Sequence, residues 1–147
     1  MDSEQRRTIE ALIPHRDPFL FVDSIVDRTE TTISTEWRPS PDMEVFRGHY
    51  PGSPLLPGVL ISEFVFQSAA LLLAATESTD EIVPVLTKIE NARFRRMVEP
   101  GELLSASVEK KHAIGKARYM QAKVTCEGEA VLRIEFVVAG LSPPGAH

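Results

Sequence analysis

The stretch GVLISEFVFQSAALLLAA, residues 58–75, decides how this chain folds. It is apolar over almost its whole length, and Pro57 directly before it is typical of a helix start, so it predicts a long buried helix. Glu63 nevertheless lies near its beginning, with Gln67 one helical turn later. An isolated buried carboxylate costs roughly several kcal/mol. We therefore expect Glu63 to have a partner, a proton or a chemical task.

A membrane span is the alternative explanation for the same stretch. Its length is near the lower limit for a spanning helix. Glu63, however, would lie near the bilayer centre at a cost of roughly a few kcal/mol, and neither flank carries a basic anchor or an aromatic belt. The sequence therefore favours a helix buried in protein and no membrane span.

Length and composition set the limits for the whole chain. With 147 residues we expect one domain, 1–147. The net charge of −5 argues against general nucleic-acid binding, although a local basic patch remains compatible with an acidic partner. Cys126 is the single cysteine, which excludes an internal disulfide and fits a reducing compartment. Because the first residues show no secretory signal, we expect a cytoplasmic protein.

The segments on either side of the long helix predict a sheet. A short helix is expected at 3–12 and an irregular, proline-rich loop at 38–57, with a loose tail at 142–147. Extended segments are expected at 18–26, 31–37, 84–90, 92–98, 103–114, 117–126 and 129–139, of which 84–90 and 92–98 are compatible with one bent strand. One long helix followed by antiparallel strands indicates an α+β fold with the sheet wrapped around the helix. Since one curved sheet covers only part of a helix that is apolar all round, we expect a dimer.

Two residues of this region have the chemistry of an acid–base pair. His49 lies in the loop segment GHYPGSPLLPG, and histidine titrates near neutrality. A carboxyl in an apolar wall, as expected for Glu63, has its pKa raised. Between them, Gly58 and Val59 begin the helix, where N–H groups are unpaired and a glycine allows a ligand to approach. Base, acid and anion site together suit enolate chemistry.

One face of the helix has room for an apolar ligand. Glu63, Gln67, Ala70 and Ala74 follow each other in helical register, and the small alanines would let a fatty acyl chain lie beside them. Structural explanations compete with this hypothesis, because a single glutamate in an apolar helix is more often paired than catalytic. In the same way, Phe64 and Phe66 are expected in the core. The remaining histidines, His15, His112 and His147, have no metal-ligand spacing.

Three blocks of the sequence resemble a known family. They are LIPHRDPFLFVD (12–23), FRGHYPGSPLLPGVLISEFVFQSAALLL (46–73) and ENARFRRMVEPGELL (90–104). In order and spacing they closely resemble the β-hydroxyacyl-acyl-carrier-protein dehydratases of the FabZ type. The resemblance implies a hotdog fold, in which an antiparallel sheet wraps a long central helix and two subunits form a dimer, the arrangement already expected from burial.

The resemblance also implies roles for individual residues. His49 matches the family's catalytic histidine, and Glu63 matches its catalytic carboxylate from the opposite subunit. Gly58 matches the glycine whose N–H polarises the thioester carbonyl, and Gln67 the glutamine that supports the site. The related isomerising FabA-type enzymes carry aspartate at the carboxylate position, so Glu63 favours plain dehydration.

Some positions depart from the family pattern. Phe64 and Phe66 stand where small residues are usual, which makes Phe66 a candidate for lining and narrowing the acyl tunnel. Met97 replaces a usual proline, and Tyr50 replaces the commoner phenylalanine. These departures bear on acyl chain length and not on the chemistry.

The implied activity is dehydration of (3R)-3-hydroxyacyl-acyl-carrier-protein in fatty-acid biosynthesis, without a metal or redox cofactor. The substrate would arrive on the phosphopantetheine of an acidic acyl carrier protein, bound by a basic patch drawn from Lys88, Arg93, Arg95, Arg96 and the segment 110–116. The enzyme would be a homodimer or a trimer of dimers. Thioester hydrolysis, a specialised acyl or polyketide substrate, and a non-catalytic carrier-binding role remain as alternatives.

Overall fold

A computed structural model describes residues 2–77 and 83–141. The helices are α1 (Ser3–Leu12), α2 (Val45–Gly48) and α3 (Gly58–Thr76), and the strands are β1 (Ser24–Arg28), β2 (Thr32–Trp37), β3 (Val83–Phe94), β4 (Leu104–Ile114), β5 (Ala117–Cys126) and β6 (Glu129–Leu141). The strands form one six-stranded sheet in the order β1-β2-β4-β5-β6-β3, and every pairing is antiparallel. The expected tail at 142–147 lies outside the described residues.

Tight hairpins join β4, β5 and β6, and β3 reaches its place beside β6 from the end of α3. Gly115 and Gly128, with φ angles of 57° and 79°, supply the left-handed turn positions between β4, β5 and β6. β3, which follows α3 in the chain, lies at the far edge and pairs with β6 from Val83↔Leu141 to Phe94↔Leu132. Register shifts interrupt four of the five pairings, and such irregularities bend and twist a sheet.

The curved sheet encloses α3. The helix contacts β2 and β4 most extensively and also touches β3, β5 and α1. Ile33, Thr35 and Trp37 alternate inward from β2, and the Trp37 and Phe64 ring centroids lie 5.7 Å apart. The Thr35 hydroxyl bonds the Ser68 hydroxyl at 2.7 Å, which satisfies both buried groups. The predicted α+β arrangement of a sheet around a long helix is confirmed.

Two strand predictions need correction. The segment 18–26 is a strand only from Ser24 onward; residues 18–23 instead cross over α3, because the backbone of Phe19 and Phe21 bonds the Gln67 side chain. Residues 84–94 form one strand, but 95–98 leave the sheet after the Arg95 N–H donates to the Val131 carbonyl. Hydrophobic pattern alone does not separate a strand from an extended segment held by a side chain.

The argument that α3 needs a second subunit to cover it is also partly wrong. The single chain already buries most of α3 beyond its first turns, from Phe64 to Leu73 with Phe66 half-buried. α3 is long and apolar enough to span a membrane by length and composition, yet 56% of its most apolar window is buried inside the protein. Both ends of the helix are less covered than its middle, and the most open position is at the N-terminal end, where Val59 is 76% exposed.

Candidate active site

Glu63 lies on the second turn of α3, and its side chain keeps 23% of its surface exposed. Its Oε2 accepts a hydrogen bond of 3.1 Å from the Gln67 amide. Burial raises the pKa of the Glu63 carboxyl above its ordinary 4.5, and the bond from Gln67, which favours the ionised form, opposes part of that rise. A raised pKa widens the pH range over which the carboxyl holds its proton.

Gln67 fixes the Glu63 side chain from behind. Its Oε1 accepts from the Phe21 N–H at 2.8 Å and its Nε2 also donates to the Phe19 carbonyl at 3.1 Å, so the amide orientation is determined by the backbone. Gln67 is fully buried and Ala70 is 3% exposed, so this face of α3 is not an open path for an acyl chain in the single chain. Gln67 therefore positions Glu63 within the single chain, and its expected contact with substrate stays a prediction.

His49 follows the short helix α2 and caps its C-terminal end through its own N–H, which bonds the Val45 carbonyl. The Nδ1 atom lies 2.7 Å from the Leu55 carbonyl oxygen. Because a carbonyl only accepts, Nδ1 carries the proton and Nε2 of the neutral ring keeps its lone pair. The half-buried ring also lies against Tyr50, with centroids 4.2 Å apart. An oriented imidazole with a free Nε2 lone pair is suited to act as a general base.

The start of α3 offers backbone N–H groups close to these residues in sequence. Pro57 is the N-cap residue, and no side chain caps the helix. A Cβ placed on Gly58 would lie 3.0 Å from the Phe94 ring, which is tighter than an ordinary contact, so a larger residue here would have to push the ring aside. Sequence reasoning missed Phe94, a 47% exposed residue at the end of β3 that stands in front of the helix start.

The structure does not bring the two predicted catalytic groups together within one chain. Among the described residues no ion pair within 4.0 Å joins His49 to Glu63, whereas Glu63 does approach another histidine. His15 Nε2 lies 3.9 Å from Glu63 Oε2. His15 was not predicted to be a site residue, because it has no metal-ligand spacing. The feature of the sequence that could have indicated it is its position in the family-like segment LIPHRDPF.

The two phenylalanines have different surroundings. Phe64 is fully buried against Trp37, as expected for a core residue. Phe66 is half-buried and meets Phe136 of β6 edge-on, with ring centroids 5.0 Å apart. Its proposed contact with the acyl chain stays a prediction.

The candidate basic residues divide into paired and free groups. Arg96 bonds Glu102 at 2.8 Å and lies 3.6 Å from Glu129, while Lys110 bonds Glu77 at 2.8 Å. In contrast, Arg93 faces Arg133 across β3 and β6, and Arg133 faces Lys123 across β6 and β5. Within the described ranges these three have no ion-pair partner within 4.0 Å. They form a basic row (Arg93, Arg133 and Lys123) on the outer face of the sheet.

No group of three or more His, Cys, Asp or Glu side chains suited to a metal ion occurs in residues 2–77 and 83–141. Cys126 is buried, and its thiol donates to Glu102 at 3.1 Å. Burial and this neighbouring carboxylate raise the pKa of the thiol to about 11. Cys126 is therefore a structural residue of the sheet.

Comparison with known proteins gives a consistent result. The profile of the ApeI-like family, described as ApeI dehydratase, matches residues 25–131. The 3-hydroxyacyl-[acyl-carrier-protein] dehydratase FabZ of Caldicellulosiruptor saccharolyticus is 36% identical over 135 residues, which are 87% of this chain and 96% of that protein. The FabZ of Petrotoga mobilis is 35% identical over 88% of this chain and 93% of its own length.

Solved structures agree on the fold. The dehydratase heterocomplex ApeI:P from Xenorhabdus doucetiae matches with a TM-score of 0.74 at 14% identity, covering 93% of this chain and 91% of that one. At such identity the likeness establishes architecture alone. The predicted hotdog fold is confirmed; the dimer stays a prediction.

Proposed function

Because this chain belongs to the hotdog-fold dehydratase family that includes the FabZ-type and ApeI-like proteins, we propose that it dehydrates (3R)-3-hydroxyacyl-acyl-carrier-protein to the trans-2-enoyl thioester in fatty-acid biosynthesis. The observation that carries the proposal is the complementary state of two side chains. His49 has a free Nε2 lone pair, and Glu63 has a raised pKa. A base and a protonated acid are what removal of water from a β-hydroxy thioester requires.

The mechanism assigns one proton transfer to each group. His49 Nε2 removes the α-proton of the hydroxyacyl thioester. Glu63 protonates the departing hydroxyl, so that water leaves. The Gly58 N–H, at the positive end of α3, stabilises the negative charge that develops on the thioester carbonyl oxygen, and the exposed Val59 lies beside the entering substrate. These steps need only proton transfers, and we propose that no metal or redox cofactor takes part.

The second subunit completes the site in this proposal. β3 is the edge strand nearest the open end of α3, and it exposes Val85, Leu86, Ile89 and Phe94 along its length. A long, apolar, unpaired edge is a natural place for another chain to add. Pairing there would cover Val59 and bring a second subunit to Glu63, which has no ion pair within 4.0 Å with the His49 of its own chain among the described residues. His49 and Glu63 then act from opposite subunits.

We propose that the basic row is where the acidic acyl carrier protein docks. Like charges directly opposite each other on neighbouring strands destabilise a sheet, and an acidic partner would relieve that repulsion. Arg96 and Lys110, which the sequence analysis included in the patch, already have carboxylate partners. The carrier's phosphopantetheine would then carry the acyl group to Gly58 and Glu63.

A direct assay tests the activity. Purified protein is incubated with 3-hydroxyacyl-carrier-protein thioesters of several chain lengths, and mass spectrometry follows the acyl group. Loss of one water per acyl chain supports dehydration. Release of a free carrier thiol with the hydroxyacyl group intact would instead identify a thioesterase, and unchanged substrate would overturn the enzymatic proposal.

A second experiment tests the docking surface. Arg93→Glu combined with Arg133→Glu should raise KM for carrier-bound substrate about tenfold or more, with kcat little changed. The reason is that attraction between the basic row and the acidic carrier protein, which salt screens, brings the two proteins together. Arg7→Glu, on the exposed face of α1, is the matched control. An unchanged KM would place the docking surface elsewhere.

We propose that the protein is located in the cytoplasm. A carrier-bound substrate, the buried thiol of Cys126 and the burial of α3 within the sheet all suit a protein of the cytoplasm. Fractionation with detection of the protein in the soluble cytoplasmic fraction tests this location.

A further inference from the structure

His15 lies beside the proposed acid without a role in the mechanism above. It follows α1 on the segment that crosses α3, and its side chain is 23% exposed. Its Nε2 atom lies 3.9 Å from Glu63 Oε2, the same oxygen that accepts from Gln67. Two nitrogen-bearing side chains from different segments therefore converge on one carboxyl oxygen.

The other ring nitrogen has nothing to bond. His15 Nδ1 is buried and has no hydrogen-bond partner in the described structure. A proton on Nδ1 would be a buried donor without an acceptor, which costs roughly 1–3 kcal/mol. The neutral ring therefore carries its proton on Nε2, facing Glu63, and a second proton is disfavoured by geometry.

Electrostatics act in the same direction. Burial, and then the neighbouring Arg16, lower the pKa of His15 below its ordinary 6.5. The Arg16 guanidinium is held by the carbonyls of Glu10, Ile13 and His15 and lies 3.9 Å from the Glu10 carboxylate. Arg16 is the charged group that acts on His15, and behind it lie Glu10 and Arg6, which bonds both Glu10 and Asp17.

We propose that His15 is a positioning residue that acts through Glu63: its neutral ring faces the carboxyl with the Nε2–H dipole at 3.9 Å, beyond hydrogen-bond distance, and stays uncharged, so that the carboxyl is not trapped in an ion pair. An imidazolium at this distance would stabilise the carboxylate and remove the proton that the leaving hydroxyl needs. A neutral N–H dipole beside the carboxyl leaves its proton available, while the hydrogen bond from Gln67 holds the carboxyl in place. This inference rests on the proposed function, since it concerns how His15 controls the charge of Glu63, the proposed acid.

Three substitutions separate this role from simple packing. His15→Lys places a permanent cation near Glu63, so the alkaline limb of the kcat profile, where the acid form of Glu63 is lost, should move to lower pH by about one unit. His15→Leu removes the donor and adds apolar surface, so the limb should move to higher pH. His15→Gln keeps an N–H donor and should leave the limb near its wild-type position.

A matched control exists elsewhere in the chain. His112 on β4 is exposed and stacks on Tyr119, away from Glu63. His112→Leu should leave the profile unchanged. A packing role for His15 would instead lower kcat in all three variants without moving the limb, and that result would overturn the proposal.

A readout without turnover keeps the proposal separate from the activity. Infrared titration, with Glu63→Gln as the subtracted reference, reports the protonation of the Glu63 carboxyl directly. In wild-type protein the carboxyl should titrate above 4.5, and in His15→Lys below its wild-type midpoint. Equal midpoints would overturn the role of His15 even in an active dehydratase. Different midpoints in a protein that leaves hydroxyacyl thioesters intact would support it while the proposed activity fails.

A variant that fails to fold does not remove the test. The His15 ring can be followed by nuclear magnetic resonance in the wild type and in Glu63→Gln. If the two groups interact, the interaction shifts the titration midpoint of each by the same free energy. Loss of the carboxylate must therefore move the midpoint of His15. Identical His15 titrations in both proteins would overturn the proposal.

Discussion

The two halves of α3 have the same apolar character but different surroundings. From Phe64 to Leu73 the helix is buried by the sheet and the crossing segment, apart from the half-buried Phe66. From Gly58 to Glu63 it is partly open: Val59 is exposed, and Gly58, Leu60 and Glu63 are half-buried. The closed half is expected to provide stability, and the open half holds Gly58 and Glu63, for which we propose roles in the reaction.

This division explains why an apolar helix contains a carboxylate. In the closed half, polar side chains are satisfied internally, as Ser68 is by Thr35. In the open half, Glu63 keeps one amide donor and a histidine at 3.9 Å, and its pKa is raised. This environment raises the pKa of the carboxyl, which suits the proposed role of Glu63 as a proton donor.

The largest expected effect concerns the open half. Separate His49→Ala and Glu63→Gln substitutions should each lower kcat on the order of 10²–10⁴-fold, because general acid–base groups contribute that much. The melting temperature should stay near the wild-type value, as neither side chain is part of the buried core. His112→Ala and Glu30→Gln, both exposed, serve as controls. Near-wild-type turnover in a folded variant would remove that residue from the mechanism.

The closed half should respond in the opposite way. Phe64→Ala leaves a cavity beneath Trp37 and should lower the free energy of unfolding by roughly 3–5 kcal/mol. The fraction that remains folded should turn over substrate at nearly the wild-type rate. Urea unfolding and activity measured on the same sample test both statements. A Phe64→Ala protein that is as stable as the wild type but inactive would contradict the assignment of Phe64 to the stabilising half of α3.

Phe66 lies at the boundary and should show a smaller, mixed effect. Its ring packs on Phe136 but is half-buried, so Phe66→Ala should cost less stability than Phe64→Ala. If the ring also limits the acyl tunnel, preference should move towards longer acyl chains. A competition assay with hydroxyacyl thioesters of several lengths measures the shift. An unaltered profile with a large fall in melting temperature would make Phe66 a core residue only.

The smallest effect is a dependence of stability on pH. The pKa of Glu63 is raised above its unfolded-state value of 4.5, so the folded state binds the proton more tightly than the unfolded state. The wild type therefore loses stability as pH rises from 4.5 through the folded pKa, and Glu63→Gln does not. Glu63→Gln should be slightly the more stable protein at neutral pH, with the difference vanishing below 4.5. Equal stabilities across this range would contradict a raised pKa.

Local patterns in the sequence were sufficient to predict most of the fold. The apolar run at 58–75 and the alternation in β2 and β6 predicted a helix inside a sheet, because burial on a regular element leaves a period in the sequence. The departures occur where tertiary contacts replace that period. Residues 18–23 have the composition of a strand but bond the Gln67 side chain instead.

A candidate site could be proposed from the sequence where residue type alone indicates chemistry. His49 and Glu63 were selected from the loop histidine, the buried carboxylate and the resemblance of their surroundings. His15 and Phe94 were missed because their importance depends on distances to Glu63 and Gly58, which are 48 and 36 residues away in the chain. The pairing states of Arg93 and Arg96 likewise depend on neighbouring strands and cannot be read from the segment RFRR.

The central claim is that two subunits share each site, and mixing two inactive variants tests it most directly. His49→Ala and Glu63→Gln are co-expressed with different tags, so that random pairing gives mixed dimers with one complete site each. If the groups act from opposite subunits, the mixture should recover about a quarter of wild-type activity, and purified mixed dimers about half. Mixed dimers as inactive as either parent would contradict the shared site.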